Sequence, residues 1–468
     1  MTNTSTPAQP PIDTRKVVTV AVLAVMVAQL PINLVSVSLT TIAADTGATT
    51  SGLQWVQSIY ILAMSAAVLS AGVIAENIGR RKVMIIALWL MVLGALLGGL
   101  ASLAGDLAMP VLWTGQAFSG LGGGALLPTT LGAIAMAVPD PRKRGPYMAL
   151  WGAGTTGGLA VGAIVAGLIL KIGSWGWIFL PSFLVAITVA LITQAALPES
   201  PTSKPGMDIQ GQIFATLAII GLIFGVIQGG AQGWFSTPAL LGYALGLIAL
   251  ALFIYRELNT YAPLMDLRVF RNPGFAAACF AAMMALFSVV GVGFMLALFL
   301  GSAKQLDPLG IATYIVFLPG TAFVVAPLAG KALAKLPSYA ALLIGLLLAA
   351  VGTFLIAHTD ETTAYLNVVW RLMIFGVSIA IMLASVATVA INSVPLKQAG
   401  MAGATNTVIR QIGGALGPAV IGSIYATRMA GGATPAESFT SALTVTTVLL
   451  VIAAVLVLIA EISTRRRS

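Results

Sequence analysis

An all-α membrane protein with many spans is the fold class this sequence predicts, and three observations carry it. Of 468 residues, 59% are hydrophobic and only 8% are charged, whereas a soluble domain carries about a quarter charged residues. The mean hydropathy is +1.01. Apolar runs recur from Val17 to the C-terminus, and about 20 such residues at ~1.5 Å each suffice to cross roughly 30 Å of hydrocarbon. Inside a bilayer only helices or a closed barrel satisfy the backbone. Barrel strands alternate apolar and polar residues, and these runs are continuous, so helices are expected.

In chain order, residues 1–16 come first, with Pro7, Pro10, Pro11, Arg15 and Lys16. They are polar and proline-rich, and no small-residue cleavage site follows the first apolar run, so they read as a cytoplasmic tail. Candidate spans then fall near 17–40, 53–75, 83–105, 109–137, 147–170, 175–197, 210–229, 237–256, 274–301, 308–333, 337–358, 363–394, 401–427 and 438–462. That makes fourteen. The longest polar stretches, PESPTSKPGMD (198–208) and RELNTYAPLMDLRVFRNP (256–273), divide them into six, two and six. The predicted organisation is a six-helix bundle over 17–200, an inserted pair over 201–258, and a second bundle with a short basic tail over 259–468. Each bundle has a glycine-rich fifth span, GTTGGLAVGAIVAG from Gly154 and GGALGPAVIG from Gly413. Gly158, Gly162, Gly413 and Gly417 are therefore candidate sites of close helix packing in a duplicated architecture.

The formal net charge of +9 could suggest nucleic acid, but its distribution fits membrane topology better. Alternate loops hold Arg80, Arg81 and Lys82; Arg142, Lys143 and Arg144; Lys204; Arg256, Arg268 and Arg271; Lys331 and Lys335; Lys397; and Arg465, Arg466 and Arg467. The opposite loops hold only Lys171, Lys304 and Arg428. Positive residues favour the cytoplasmic side, which predicts both termini there in a plasma or inner membrane. Cys279 and His358 are the only residues of their kinds, which excludes an intrachain disulfide and argues against a Cys/His metal site. No phosphate-binding loop or catalytic constellation is present, so neither an enzyme nor a cofactor is expected.

After the second span the chain reads GVIAENIGRR, from Gly72 through Glu76 and Gly79 to Arg80 and Arg81. Gly79 permits a sharp reversal, and the Glu76 anion can pair with the two arginines as a latch between conformations. This stretch resembles the second-to-third-span loop of the major facilitator superfamily, with Glu76 in place of the usual aspartate. LQWVQSIY (53–60), QIGGALG (411–417) with Asn406 and Arg410 just before it, and PLMDLRVF (263–270) resemble segments of its fourteen-span drug:proton antiporter branch. The resemblance implies two rocking six-helix bundles plus two inserted helices, exporting amphiphilic or drug-like small molecules by alternating access. Membrane lipid and protons are further implied partners.

Departures weigh on the coupling. The acidic position of the branch's first span falls at Pro31, its fourth-span arginine at Gln116, and the proline of its fifth-span Gly-Pro at Leu159. Only Arg371 and Arg410 lie well inside the predicted spans, and arginine does not titrate near neutrality. Asn33, Gln57, Tyr60, Gln116, Trp151, Tyr314, Arg371, Asn406 and Arg410 are the candidate substrate-binding residues, a few polar groups in an apolar pocket. Arg410 reads either as a packing residue or as a fixed cation facing the cavity. Arg371 leans toward the cavity, with snorkelling to the cytoplasmic end as the rival. Two alternatives remain open: an uncoupled facilitator or lipid or glycolipid translocase, and a membrane sensor without transport.

Overall fold

The computed structural model describes residues 13–465 apart from 139, 141–142, 201, 203–207, 261–262, 266, 334–335 and 396–398. Most of the N-terminal tail, Arg142, Lys204, Asp266, Lys335, Lys397, Arg466 and Arg467 lie outside the described residues. Fifteen α-helices and no strands occur among the described residues.

The first bundle contains α1 (Thr14–Thr46), α2 (Thr50–Ile78), α3 (Arg80–Ala101), α4 (Ala108–Ala137), α5 (Gly145–Ile172) and α6 (Phe179–Ala196). Asp13 caps α1 by accepting from the Arg15 and Lys16 N–H groups at 3.1 and 3.3 Å, and Gly47 ends it at φ 66°. The Thr14 hydroxyl donates to the Ala137 carbonyl at 3.1 Å, so the start of α1 and the end of α4 share one face of the protein. The inserted pair is α7 (Ile209–Gln232) and α8 (Thr237–Asn259). Asp208 caps α7 and pairs with Arg256 of α8 at 3.2 Å. Across the hairpin, Gly221 and Gly225 stand against Gly246 and Gly242. The second bundle contains α9 (Pro273–Ser302), α10 (Pro308–Ile315), α11 (Phe317–Leu333), α12 (Ser338–Ala357), α13 (Tyr365–Asn392), α14 (Ala399–Ala430) and α15 (Pro435–Arg465).

The expected tenth span, 308–333, is two helices, α10 and α11, meeting at Val316. Pro319 has no N–H for the Ile315 carbonyl, so the helix restarts there. Among the described residues, thirteen spans are long and apolar enough to cross a membrane, counting the bent α2 as one. The fourteenth, α14, has the length at 32 residues but a polar sequence with Asn406, Arg410 and Gln411. It can be polar because it is a central helix packed against α9, α2 and α7. By contrast, Leu168, Ile213, Leu241 and Leu347 are exposed on the outer surface, as a hydrocarbon solvent requires.

Both bundles use one packing device. In α5, a side chain at Gly158 or Gly162 would collide with the Met26 or Leu30 carbonyl of α1. In α14, Gly413 and Gly417 face the Met283 and Phe287 carbonyls of α9 in the same way. Two glycines four residues apart thus let backbone meet backbone at corresponding places.

Candidate functional site

Between the bundles lies a central cavity of about 70 Å³. Its first-bundle wall is built by α1, where Gln29, Asn33 and Ser36 recur at spacings of four and three and so share one helix face. Ile61 and Met64 of α2 and Thr155, Thr156 and Leu159 of α5 complete that side. The second-bundle wall comprises Leu286, Val289, Val290 and Gly293 of α9, Leu318 and Pro319 of α11, Ile379 and Leu383 of α13, and Arg410 and Gln411 of α14.

Most polar groups here are already bonded within the protein. Asn33 donates to the Leu159 carbonyl at 2.9 Å, tying α1 to α5 beside the glycine contact. The Ser36, Thr155 and Thr156 hydroxyls donate to carbonyls of their own helices at 2.8 to 3.3 Å. Arg410 differs. Its guanidinium makes no hydrogen bond or ion pair among the described residues, and its Nε, like those of Arg81 and Arg371, is buried without a partner.

Of the sequence candidates, the pocket takes Asn33 and Arg410 and excludes the other seven. Gln57 sits behind the wall, linking α2 to Ser36 and the Ile32 carbonyl of α1 at 3.4 Å. The Tyr60 hydroxyl donates to the Ala28 carbonyl, and Gln116 is buried in α4. Trp151 donates to Thr130 at 3.0 Å. Tyr314 stacks edge-on against Tyr365 at 4.8 Å, at the end away from the termini. Asn406 reaches the Ala278 carbonyl of α9 at 3.4 Å. Arg371 is neither a cavity residue nor a snorkel toward the termini side. Its Nη1 donates to the Leu355 carbonyl, the His358 carbonyl and the Thr359 hydroxyl at 3.0, 2.9 and 3.3 Å, capping the far end of α12. A cation at a helix C-terminus satisfies carbonyls that lack intrahelical donors. Gln29, Ser36, Thr155, Thr156 and Gln411 line the pocket and were not among the candidates. The common face of Gln29, Asn33 and Ser36 was a readable signal for the first two.

The loop motif is built differently from its reading. Gly79 adopts φ 101°, a conformation open to glycine. Glu76 is exposed and makes no ion pair with Arg80 or Arg81 among the described residues. Instead Glu199, after α6, accepts from the Arg81 N–H at 3.1 Å, and Ser200 accepts from the Arg80 N–H at 2.8 Å. The Arg81 guanidinium donates to the Gln194 carbonyl at 2.5 Å. The motif therefore caps α3 onto the end of α6.

On the side away from the termini, the bundles close over the pocket. The Ser58 hydroxyl donates to the Ala415 carbonyl at 3.2 Å. Gly301 packs on Thr40, Gly422 on Gln54 and Gly167 on Ala312.

Comparison with known proteins agrees with this architecture. A multidrug resistance protein, Stp, of Mycobacterium tuberculosis is 30% identical over 80% of this chain and 69% of its own. The tetracenomycin C resistance and export protein of Streptomyces glaucescens is 26% identical over 86% of this chain and 74% of its own. The crystal structure of a POT family transporter in complex with 5-aminolevulinic acid superposes with TM-score 0.69 at 14% identity, covering 93% of this chain and 94% of that one, which is a likeness of fold. The family model described as Major Facilitator Superfamily matches residues 21–418, and with two bundles facing each other across a central pocket, this multi-pass membrane protein belongs to that superfamily.

Proposed function

We propose that the protein exports amphiphilic, drug-like small molecules by alternating access, the two bundles rocking about the central pocket with both termini in the cytoplasm. One observation carries this reading: an apolar pocket with a few polar groups lies between the bundles, lined by helices of both. Small-molecule sites have this character at volumes of roughly 300 to 1,000 Å³. The cavity here is only about 70 Å³, so the bundles separate to take a drug-sized molecule. The names of the relatives, resistance and export proteins, point the same way. Asn33, Gln29, Gln411 and Arg410 would contact the substrate, and Gly72, Glu76, Gly79, Arg80 and Arg81 lie where a conformational latch would act.

A second reading, uncoupled facilitation, is favoured by one feature: no Asp or Glu lines the pocket among the described residues, and a proton carrier needs a group that titrates within reach of both sides. Proteoliposomes loaded with a fluorescent amphiphile separate the two readings. Efflux that rises when a pH gradient is imposed supports proton antiport. Efflux indifferent to the gradient supports facilitation, and no protein-dependent flux of any amphiphile refutes transport.

A further inference from the structure

The pocket is asymmetric in charge. Among the described residues Arg410 is its one charged lining residue, and arginine keeps its charge under ordinary conditions. Every Asp and Glu among the described residues sits at a helix end or in a connection, from Asp45 and Glu76 to Glu437 and Glu461. None lines the pocket. A charge in membrane hydrocarbon is costly without a partner, and the buried Nε of Arg410 has none. Asn406, one turn earlier, donates its Nδ2 to the Ala278 carbonyl of α9 at 3.4 Å.

The walls also lack what a cation needs. No Phe, Tyr, Trp or His lines the pocket, so no aromatic face attracts a positive charge, and no carboxylate opposes it. A cationic substrate would meet neutral amide and hydroxyl oxygens but no opposite charge, and the repulsion of Arg410.

From this geometry we infer that the pocket selects amphiphilic anions: molecules whose carboxylate, phosphate or sulfonate meets Arg410 while an apolar body lies on Ile32, Leu286 and Val290. Two oxygens of such a group match the guanidinium fork, which donates two parallel hydrogen bonds. Gln411 beside it offers a neutral donor. The inference rests on the pocket being the transport site, and it narrows the substrate to one charge class. The anion can be a free amphiphile or the headgroup of an acidic lipid, since both present the same oxyanion.

The test uses the full chain in phosphatidylcholine nanodiscs, with empty nanodiscs subtracted, and three probes. Anilinonaphthalene sulfonate is the anion, phenylnaphthylamine its neutral counterpart, and ethidium the cation. Saturable binding of the sulfonate, weakened about tenfold or more by Arg410→Gln and largely restored in Arg410→Lys, with the neutral probe unchanged, is the expected result. Arg410→Lys keeps the charge and gives a reading even where Arg410→Gln does not fold. Displacement of the sulfonate by phosphatidylglycerol identifies a lipid headgroup as the source, and displacement by a soluble fatty acid alone identifies a free amphiphile. Displacement by inorganic phosphate at the same concentration overturns the need for an apolar body. Tighter binding of ethidium than of the sulfonate, or sulfonate binding indifferent to both Arg410 variants, overturns the inference while leaving the pocket standing. Saturable binding of none of the three refutes the pocket itself.

Discussion

The two bundles pair their core helices by the same means but mount different chemistry on them. In the first, Gly158 and Gly162 of α5 rest on α1; in the second, Gly413 and Gly417 of α14 rest on α9. The glycine-bearing helix α5 carries only hydroxyls into the pocket and leaves the amides to its partner α1. In the second bundle the glycine-bearing helix itself carries Arg410 and Gln411, and its partner α9 is wholly apolar at the pocket. Close backbone approach is thus a shared requirement of the architecture. Polarity is not, and its placement is what distinguishes the two walls.

The shared requirement is broken most directly at its glycines. A Cβ on Gly162 or Gly417 would stand 2.5 Å from a backbone carbonyl, and a carbonyl cannot rotate away as a side chain can. Gly162→Ala and Gly417→Ala are each expected to destabilise by about 1 to 3 kcal/mol, read as a lowered thermal midpoint in detergent, and a leucine at either site should prevent recovery of folded protein. Gly293, also in the second bundle and at the pocket, has open space around it, and Gly293→Ala should leave the midpoint unchanged. A drop for only one of Gly162 and Gly417 would break the equivalence of the bundles.

Sequence made the spans and this glycine device legible because both are written in local pattern: long apolar runs, and glycines four apart in two places. The break between α10 and α11 was also written, in Pro319, but an apolar run conceals it. The site was legible only in part. Gln57, Tyr60 and Trp151 look like pocket residues from composition, yet each points its polar group at a neighbouring helix. Which face of a helix meets the cavity depends on how it rotates against its neighbours, and that is a tertiary fact. Glu76 was the obvious anion for Arg80 and Arg81 because it is near in sequence. Glu199, 118 residues from Arg81 along the chain, could not be found that way.

Arg371 and Arg410 sharpen the contrast between structural and functional charge within one bundle. The Arg371 Nη1 bonds three acceptors at the end of α12 although its Nε is buried without a partner, whereas Arg410 bonds none among the described residues. Arg371→Gln leaves those carbonyls short of donors and should cost about 1.5 to 3 kcal/mol, seen as a lower thermal midpoint with no change in sulfonate affinity. Arg410→Met should do the reverse, raising or preserving the midpoint because it removes an uncompensated charge while abolishing anion binding. Equal effects of the two on binding would dissolve the distinction.

A smaller effect separates Glu199 from Glu76 at the termini side of the first bundle. Glu199 supplies the capping oxygen for the Arg81 N–H and also accepts from the Ser200 N–H, so Glu199→Ala should cost about 1 kcal/mol, as lost helix caps do. Glu76→Ala removes an exposed side chain that makes no ion pair among the described residues and should stay within about 0.5 kcal/mol. Chemical denaturation in mixed micelles reads both. If Glu76→Ala instead abolishes transport without moving stability, the loop acts as a latch in another conformation, which a resting structure would not display.

The smallest expected effect lies at the opposite corner of the second bundle, in the connection before α13. There Asp360 accepts from the Thr363 and Thr362 hydroxyls at 2.8 Å and from the Thr362 N–H at 2.9 Å. These donors, the Thr363 hydroxyl foremost, hold its carboxyl down at about 2 from an ordinary 3.8. A depressed carboxyl stabilises the folded state above its unfolded value, and that contribution fades as pH falls from about 3.8 through about 2. The group is open to solvent, so the effect is slight. The difference in thermal midpoint between the natural protein and Asp360→Asn should therefore be small and constant from pH 7 to about pH 4 and should close below that. Arg371 holds the same corner through the Thr359 hydroxyl, and Arg371→Gln should shift the midpoint equally across that range. A pH-dependent Arg371 effect would mean that the corner opens when Asp360 is protonated, joining the two contacts into one unit.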